Sequence, residues 1–326
     1  MATEVMGVNA LSYVMLDSTD ITTGEVGASC EDLTLDAGGG FNPVIYERCD
    51  TYGQPLVDAK GKPVGYRSSR FCYDTNREIE LNPQVSSRHG QTPYMVVANI
   101  IESLLPMQTI SATMIEEGRK MMWIVKTDKS HTFDDGDRFD RYLMVTSSLD
   151  SSWKTAIRGY IHRPQCSNQF PFGKTVFESK NTTNNGVRFA SWAAREKQRM
   201  FEHDWDEFIA RASQLKHIPV PRYQTWTTLA RIIPEPVRRQ DQSDQGYRAQ
   251  RTRWENTIDK IVVHFEQEER AFGRNMWALV QAIQSYELHD KSRNKDADGR
   301  LVHMHGVVAG DGQPLTDKAL QRLAAV

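Results

Sequence analysis

The chain has 326 residues, of which 39% are hydrophobic and 25% are charged, and its formal net charge is -2. This composition describes a soluble globular protein of one large or two ordinary domains, and no run of residues approaches the ~18 consecutive apolar residues of a membrane span. The N-terminus lacks a basic stretch followed by an apolar run, and the cysteine spacing fits neither a disulfide framework nor a zinc site, so we expect a cytoplasmic protein. The cysteines are Cys30, Cys49, Cys72 and Cys166.

Charge is distributed unevenly along the chain. Residues 1–47 contain eight acidic residues and no Lys or Arg, so the remaining residues carry a net charge of +6. Within residues 151–180, five basic residues accompany one acidic residue, Glu178. A polyanionic partner is one interpretation of this stretch, and ordinary fluctuation of charge along a chain is the other.

The N-terminal half predicts an acidic arm, a helix and a sheet. The arm covers residues 1–40 and ends in three glycines, which we interpret as a hinge. A helix is predicted over residues 92–105, with Thr92 as the N-cap and Pro93 as the first helical residue. Alternating segments then predict four strands, at 109–117, 120–127, 141–148 and 153–163. The fold class is therefore predicted as α+β, with an antiparallel four-stranded meander packed against one helix.

The C-terminal half changes to a helical period. Apolar residues three and four positions apart predict two long amphipathic helices, within 190–216 and 250–290. Glu268 interrupts the second stripe, and Gly273 is expected to cost that helix about 1 kcal/mol. The domain prediction is an arm at 1–40, an α+β core at 41–180 and a helical region at 181–326 with a polar linker at 217–249.

No motif predicts catalysis, a cofactor or a bound metal. The chain has neither a G-x-x-x-x-G-K-[ST] phosphate loop nor a G-x-G-x-x-G fingerprint. In an extended strand, His162 and Cys166 would lie ~13 Å apart, too far for a base and its thiol. His303 and His305 lack further ligands at metal-binding spacing, and the acidic turn at 134–137 lacks the remaining ligands of a calcium loop.

The strand at 153–163 is the best candidate for a binding surface. Alternate residues of a strand point to one side about 7 Å apart, similar to the spacing of phosphates along a single nucleic-acid strand. Lys154, Arg158, Tyr160 and His162 share one side, and Arg163 follows them. Arg119, Lys120, Trp123 and Lys126 of a neighbouring strand extend the patch. The competing interpretation is the polar solvent face of a half-covered sheet.

A second basic cluster precedes and begins the last long helix. It consists of Arg238, Arg239, Arg248, Arg251 and Arg253. Asp241 and Asp244 partly offset its charge. One interpretation is that the cluster contacts phosphate or a neighbouring subunit. The other is that it only solubilises a loop.

Residues 141–168 and 276–293 resemble a phage/plasmid-like family of unknown function found on mobile elements. Its motif "Y-L-x-L-x-x-S-H-D-G-S" is matched by Tyr142, Leu143, Asp150 and Ser152. Its motif "R-V-V-C-x-N" is matched by Arg163, Cys166 and Asn168, and "A-x-x-E-Y-x-D-H" by Ala282, Tyr286 and His289. The chain departs from the first motif at Leu149 and Ser151, and from the second at Pro164 and Gln165.

This resemblance implies a mobile-element protein that acts in the cytoplasm of a bacterial host. The predicted core is also similar in outline to phage single-strand annealing proteins, which assemble as rings or filaments. The leading hypothesis is therefore a non-catalytic single-stranded DNA-binding or annealing protein that acts as an oligomer in recombination or replication, with the strand at 153–163 as the floor of the groove.

In this hypothesis, Lys154, Arg158 and Arg163 hold phosphates, while Tyr160 and Trp123 stack on bases. Asp150 and Ser152 shape the turn before the strand. Cys166 and Asn168 are assigned to structure, as a small thiol and a backbone-bonding amide. The acidic arm is expected to occupy the groove when DNA is absent.

Two other functions stay open. One is a protein-interaction module that binds and inhibits a host factor, with the acidic N-terminus as a mimic of nucleic acid. The other is a metal-dependent or thiol enzyme that uses Cys166.

Overall fold

The computed structural model describes most of the chain outside its first 28 residues. The described residues are 29–41, 43–47, 54, 56–62, 66–72, 77–85, 90–106, 108–150, 152–163, 168–171, 176–180, 185–196, 203–291, 303, 315–316 and 319. The predictions about the acidic arm before residue 29 and about Cys166 lie outside these residues. So do those about the side chains of Tyr160 and Asn168.

The strands form two sheets. The first has the order β1-β2-β3, with β1 at Pro43–Glu47, β2 at Tyr66–Cys72 and β3 at Arg77–Val85. The second has six strands: β4 Thr109–Ile115, β5 Lys120–Thr132, β6 Arg138–Ser148, β7 Thr155–Arg163, β8 Asn168–Pro171 and β9 Phe177–Ser179. Its order is β4-β5-β6-β7-β8, and β9 pairs antiparallel with β7.

Helices precede, follow and separate these strands. They are α1 Cys30–Asp36, α2 Tyr94–Leu104, α3 Asn185–Glu196, α4 His203–Lys216, α5 Thr225–Ile232, α6 Asp244–Phe272 and α7 Met276–Ser285. A π-helical turn at Tyr286–Asp290 follows α7. Among the described residues, no helix combines the length and the apolar character that crossing a bilayer requires.

The predicted α+β class with an antiparallel sheet is confirmed. The four predicted strands correspond to β4, β5, β6 and β7, which are neighbours in that order. The predicted helix begins later than expected, because Pro93 is the N-cap and not the first helical residue. Thr92 does not cap it, since the Thr92 hydroxyl instead accepts a hydrogen bond from the Asn185 amide at 3.2 Å.

The chain divides into two compact units. Unit 1 comprises residues 1–129, 140–160 and 173–202, and unit 2 comprises residues 130–139, 161–172 and 203–326. The predicted domain ranges stay a prediction.

The core of unit 1 is built from α2, α3 and one face of the sheet. Val97 and Ile101 of α2 pack with Leu143 and Ile157 of the sheet, and Phe189 of α3 joins them. All five side chains are buried. One face of each strand and one stripe of each helix therefore supply this core, as the alternation in the sequence predicts.

The core of unit 2 is mainly helical. Phe208 of α4, Leu229 of α5, Phe265 of α6 and Leu279 of α7 belong to one buried apolar cluster, together with Ile161 of β7. The helix α5 lies within the range 217–249 that the sequence predicts as a polar linker, and α6 begins there as well. Because Thr225, Leu229 and Ile232 form a short buried stripe, this segment is a packed element in part.

The predicted helix over 250–290 is two helices. Gly273 has φ +78°, a backbone conformation that side chains with a Cβ rarely adopt, and it ends α6. Asn275 then caps α7, because its side-chain oxygen accepts a hydrogen bond from the Ala278 amide at 2.8 Å. Gly273 is therefore a helix end and not a defect inside a helix.

Candidate functional site

The turn before β7 is closed by four hydrogen bonds that involve the side chains of Asp150 and Ser148. Asp150 Oδ1 accepts from the backbone nitrogen of Ser152 at 2.9 Å and from its hydroxyl at 2.6 Å. Ser148 Oγ accepts from the Trp153 backbone nitrogen at 3.0 Å and donates to its carbonyl at 2.8 Å. These contacts fix the chain just before Lys154, whose side chain is exposed.

The strand β9 brings an acidic residue beside Lys154. In the antiparallel register, Glu178 lies opposite Ala156. Its side chain therefore shares a face with Lys154 and Arg158, the residues two positions to either side of Ala156. Glu178 forms ion pairs with Lys154 Nζ and, at 3.4 Å, with Arg158 Nη2.

A pocket of about 410 Å³ opens at this edge of unit 1, and we call it the cationic pocket. It is lined by Lys154, Phe177, Glu178, Ser179, Lys180 and Arg188. Lys154, Lys180 and Arg188 are exposed cations, and Glu178 is the single acidic residue among the described residues of the lining. Within the described part of the chain, neither Lys180 nor Arg188 forms an ion pair.

An aromatic cluster supports one wall of the cationic pocket. The Phe177 ring lies 5.0 Å from the ring of Phe189 and 5.0 Å from that of Trp192. Phe189 is fully buried and follows Arg188 on α3. At the start of α3, the Asn185 amide donates to Thr155 Oγ1 at 2.7 Å, which ties the helix to β7. The cations are thus held on elements fixed by the core.

The other cations of β7 do not form the exposed row that the alternation predicts. Arg158 is only 8% exposed and donates to Thr146 Oγ1 at 3.4 Å as well as to Glu178. His162 is fully buried, and burial lowers its pKa from 6.5 to about 4, so it is neutral near pH 7. The strand pattern therefore assigns the faces of β7, but the face with these residues is largely covered.

Arg163 lies inside unit 2 and is fully buried. Its Nε donates to Asp137 Oδ1 and its Nη1 to Glu268 Oε2, both at 2.5 Å. Its guanidinium carbon also lies 4.0 Å from the centre of the Phe272 ring. A side chain so enclosed stabilises the fold and has no surface to offer a phosphate. Glu268 interrupts the apolar stripe of α6 because it faces this cation.

The predicted residues in β5, and Arg119 just before it, do not line the cationic pocket. Trp123 is fully buried, and its Nε1 donates to Thr34 Oγ1 at 2.8 Å, so its ring is not available to stack on a base. Lys120 is 7% exposed, pairs with Glu116 and lies 5.4 Å from the centre of the Trp153 ring. Arg119 is exposed and Lys126 is half-buried, but neither lines the pocket.

The acidic turn and His303 also have structural contacts, whereas His305 lies outside the described residues. Lys216 of α4 pairs with Asp135 at 2.6 Å and with Asp137 at 2.9 Å. His303 Nε2 lies 2.6 Å from the carbonyl oxygen of Glu287. Among the described residues, no group of three or more His, Cys, Asp or Glu side chains is arranged to hold a metal ion.

Of the predicted binding residues whose side chains the structure describes, Lys154 alone lines the cationic pocket. The sequence prediction missed Phe177, Lys180 and Arg188. The excess of basic residues over 151–180 includes Lys180 and was a usable signal. No signal in the sequence indicated Arg188, because its position depends on how α3 packs beside β9.

Comparison with curated proteins and with solved structures finds no match. A family model described as a domain of unknown function, DUF932, matches residues 84–307. The match includes β4 to β9, the cationic pocket and the helices α2 to α7. The chain therefore belongs to the DUF932 family.

Proposed function

We propose that the protein is a non-catalytic single-stranded DNA-binding protein and that the cationic pocket contacts the phosphates. The observation that carries this proposal is the convergence of Lys154, Lys180 and Arg188 on one concave site with a single acidic residue. The described residues of the lining carry a formal charge of +2. A negatively charged backbone is the natural complement of such a site.

The shape of the cationic pocket favours a flexible strand over a duplex. A single strand can turn one phosphate into a concave site, whereas a rigid duplex presents its phosphates on a convex surface. Glu178 holds Lys154 in place, so less side-chain entropy is lost on binding. Phe177 supplies an apolar wall beside the cations, which suits the sugar and base next to a bound phosphate.

The biological setting is a further part of the proposal. The sequence motifs resemble those of phage and plasmid proteins, which supports a role in recombination or replication of a mobile element. The similarity in outline to single-strand annealing proteins supports annealing and assembly as a homo-oligomer.

Fluorescence anisotropy with a labelled oligothymidine tests the cationic pocket. The double variant Lys154→Gln/Lys180→Gln removes two cations while keeping side chains of similar length. We expect its affinity at low salt to fall about tenfold, because each lost phosphate contact removes an electrostatic contribution. Circular dichroism checks that the variant is folded.

The matched control is Lys60→Gln/Lys62→Gln, which removes two exposed cations from the turn at 58–62. We expect it to change the affinity less than about twofold, because these residues lie outside the pocket. Equal losses in both variants would assign the binding to overall charge and contradict the pocket. If the folded wild-type protein bound no oligothymidine at low salt, the proposed function would be wrong and a protein partner would be sought instead.

A further inference from the structure

Two aromatic side chains of unit 2 are exposed within four residues of each other. Tyr223 is 80% exposed and Trp226 is 43% exposed. The other large hydrophobic side chains that are exposed in the described part of the chain are aliphatic. Because burial of aromatic rings is strongly favourable, two exposed aromatic side chains three residues apart point to a ligand.

The local structure presents both rings together. Tyr223 lies in a 3₁₀ turn at Arg222–Gln224 that leads directly into α5. A spacing of three residues places the two side chains on the same side of such a segment. Trp226 is supported by Trp254 of α6, whose ring meets it edge-on at 5.8 Å. Trp254 is itself anchored, because its Nε1 donates to the Ile233 carbonyl at 2.8 Å.

Arginines adjoin these aromatic residues in the sequence. Arg222 precedes Tyr223 and its side chain is 84% exposed, and Arg253 is exposed next to Trp254. Arg251 forms ion pairs with Glu235, three residues after α5, at 3.2 Å and with Glu255 at 3.1 Å. We call the set of Arg222, Tyr223, Trp226, Arg251 and Arg253 the arginine–aromatic surface.

The composition of this segment is biased toward one cation. Residues 222–254 contain seven arginines, no lysine and three acidic residues. Within the described residues, the side chains of Arg239, Arg248 and Arg253 form no ion pair. A guanidinium binds phosphate through two parallel hydrogen bonds and also stacks on flat rings, which an ammonium group cannot do.

We propose that the arginine–aromatic surface binds the bases of a single-stranded nucleic acid. Tyr223 and Trp226 stack on bases, while the arginines hold the adjoining phosphates. The inference rests on the proposed function, since both concern a single strand. It goes further in naming a second contact, in the other unit, that recognises the bases and not only the backbone.

Two oligonucleotides of equal length separate base contacts from backbone contacts. One is oligothymidine, and the other carries abasic sugars along the same phosphate backbone. We expect Tyr223→Ala/Trp226→Ala to lower the affinity for oligothymidine at least about tenfold, because stacking on each base makes a large contribution. The affinity for the abasic strand should change less than about twofold, since that strand has no bases to stack.

Two further variants serve as controls. Tyr223→Phe/Trp226→Phe keeps a ring at each position and should retain most of the affinity for oligothymidine. Val263→Ala alters an exposed apolar side chain elsewhere on α6 and should leave both affinities unchanged.

The outcomes distinguish the two proposals. Equal losses on both oligonucleotides, or no recovery in the phenylalanine variant, would overturn stacking. An unchanged affinity for oligothymidine in the alanine variant, with a loss in Lys154→Gln/Lys180→Gln, would overturn this inference and leave the proposed function intact. If the wild-type protein bound neither oligonucleotide, both would be wrong.

Discussion

The guanidinium of Arg163 forms ion pairs with two carboxylates. Asp137 and Glu268 each accept a hydrogen bond from it at 2.5 Å, and all three side chains are nearly or fully buried. Removing the cation alone would leave two buried carboxylates, and the desolvation of an unpaired charge is costly. Asp137 retains a second partner, because Lys216 Nζ lies 2.9 Å away, whereas among the described residues the ion pair of Glu268 is with Arg163 alone.

We therefore expect Arg163→Met to lower the free energy of unfolding by about 3–5 kcal/mol. The double variant Arg163→Met/Glu268→Met should be less destabilised than the single variant, because it also removes the carboxylate that has lost its partner. Urea unfolding at pH 7 measures the free energy of unfolding of the single and the double variant. The exposed Arg248→Met is the control, with an expected change within about 0.5 kcal/mol. A double variant less stable than the single one would contradict this account.

The buried imidazole of His162 makes stability depend on pH. Its pKa falls from 6.5 to about 4 because burial disfavours the charged form. Between pH 6.5 and pH 4 the unfolded chain binds a proton that the folded chain does not, so stability is lost as the pH falls through this window. Above pH 6.5 the contribution is constant.

Lowering the pH from 7 to 5 should cost the wild-type protein about 2 kcal/mol through His162. We expect His162→Gln to lose less stability over the same interval, although it is less stable at pH 7. The free energy of unfolding at the two pH values gives this difference. The control is His217→Gln at an exposed position, which should lose as much stability between pH 7 and pH 5 as the wild-type protein. If His162→Gln left the pH dependence of the unfolding free energy unchanged, His162 would be accessible to solvent and this account would be wrong.

At the scale of elements, the junction between α6 and α7 depends on one amide side chain. Asn275 Oδ1 accepts from the Ala278 backbone nitrogen at 2.8 Å, and its Nδ2 donates to the Phe272 carbonyl at 3.0 Å. The same residue thus satisfies a free donor at the start of α7 and a free acceptor at the end of α6.

We expect Asn275→Ala to destabilise the protein by about 1–2 kcal/mol, because both contacts are lost. Asn275→Asp keeps the acceptor at the helix N-terminus and should cost less than the alanine variant. Thermal or urea unfolding ranks the two variants. A loss in Asn275→Asp as large as in Asn275→Ala would assign the stabilisation to the contact with Phe272.

The strands of the meander were predictable because alternation is a local property of the sequence. It is clearest in β4, whose burial alternates strictly, whereas β6 is buried along nearly its whole length; all four strands overlap the predicted ranges. The pairing of β9 with β7 was not predictable, because three residues of strand carry no signal and their partner lies about twenty residues away. The helix α5 was missed for a related reason, since its buried stripe is short and lies among Pro, Gln and Arg residues.

The candidate site depended on information that the alternation does not contain. The strand period assigns Lys154 and Arg158 to one face, but it does not say whether that face is covered. In the structure the two residues differ in solvent exposure, because Lys154 lines the cationic pocket while Arg158 is buried. Trp123 shows the same limit, since an aromatic residue on a strand is more often part of a core than of a binding surface.

At the scale of the whole molecule, a net charge of -2 conceals two cationic surfaces. The cationic pocket belongs to unit 1 and the arginine–aromatic surface to unit 2. Their proposed contacts differ physically, because the pocket neutralises phosphates whereas Tyr223 and Trp226 meet bases. Salt affects the first kind of contact much more strongly than the second.

A salt series with oligothymidine should therefore separate the two contributions. For single strands, the logarithm of the association constant falls with the logarithm of the salt concentration by about 0.7 for each phosphate neutralised. Lys154→Gln/Lys180→Gln should make this slope shallower by about 1.4, since two phosphate contacts are lost. Tyr223→Ala/Trp226→Ala should weaken binding at every salt concentration and leave the slope unchanged, because no charge is removed. A shallower slope in the aromatic variant would mean that these rings position phosphates, and an unchanged slope in the lysine variant would place the phosphates outside the cationic pocket.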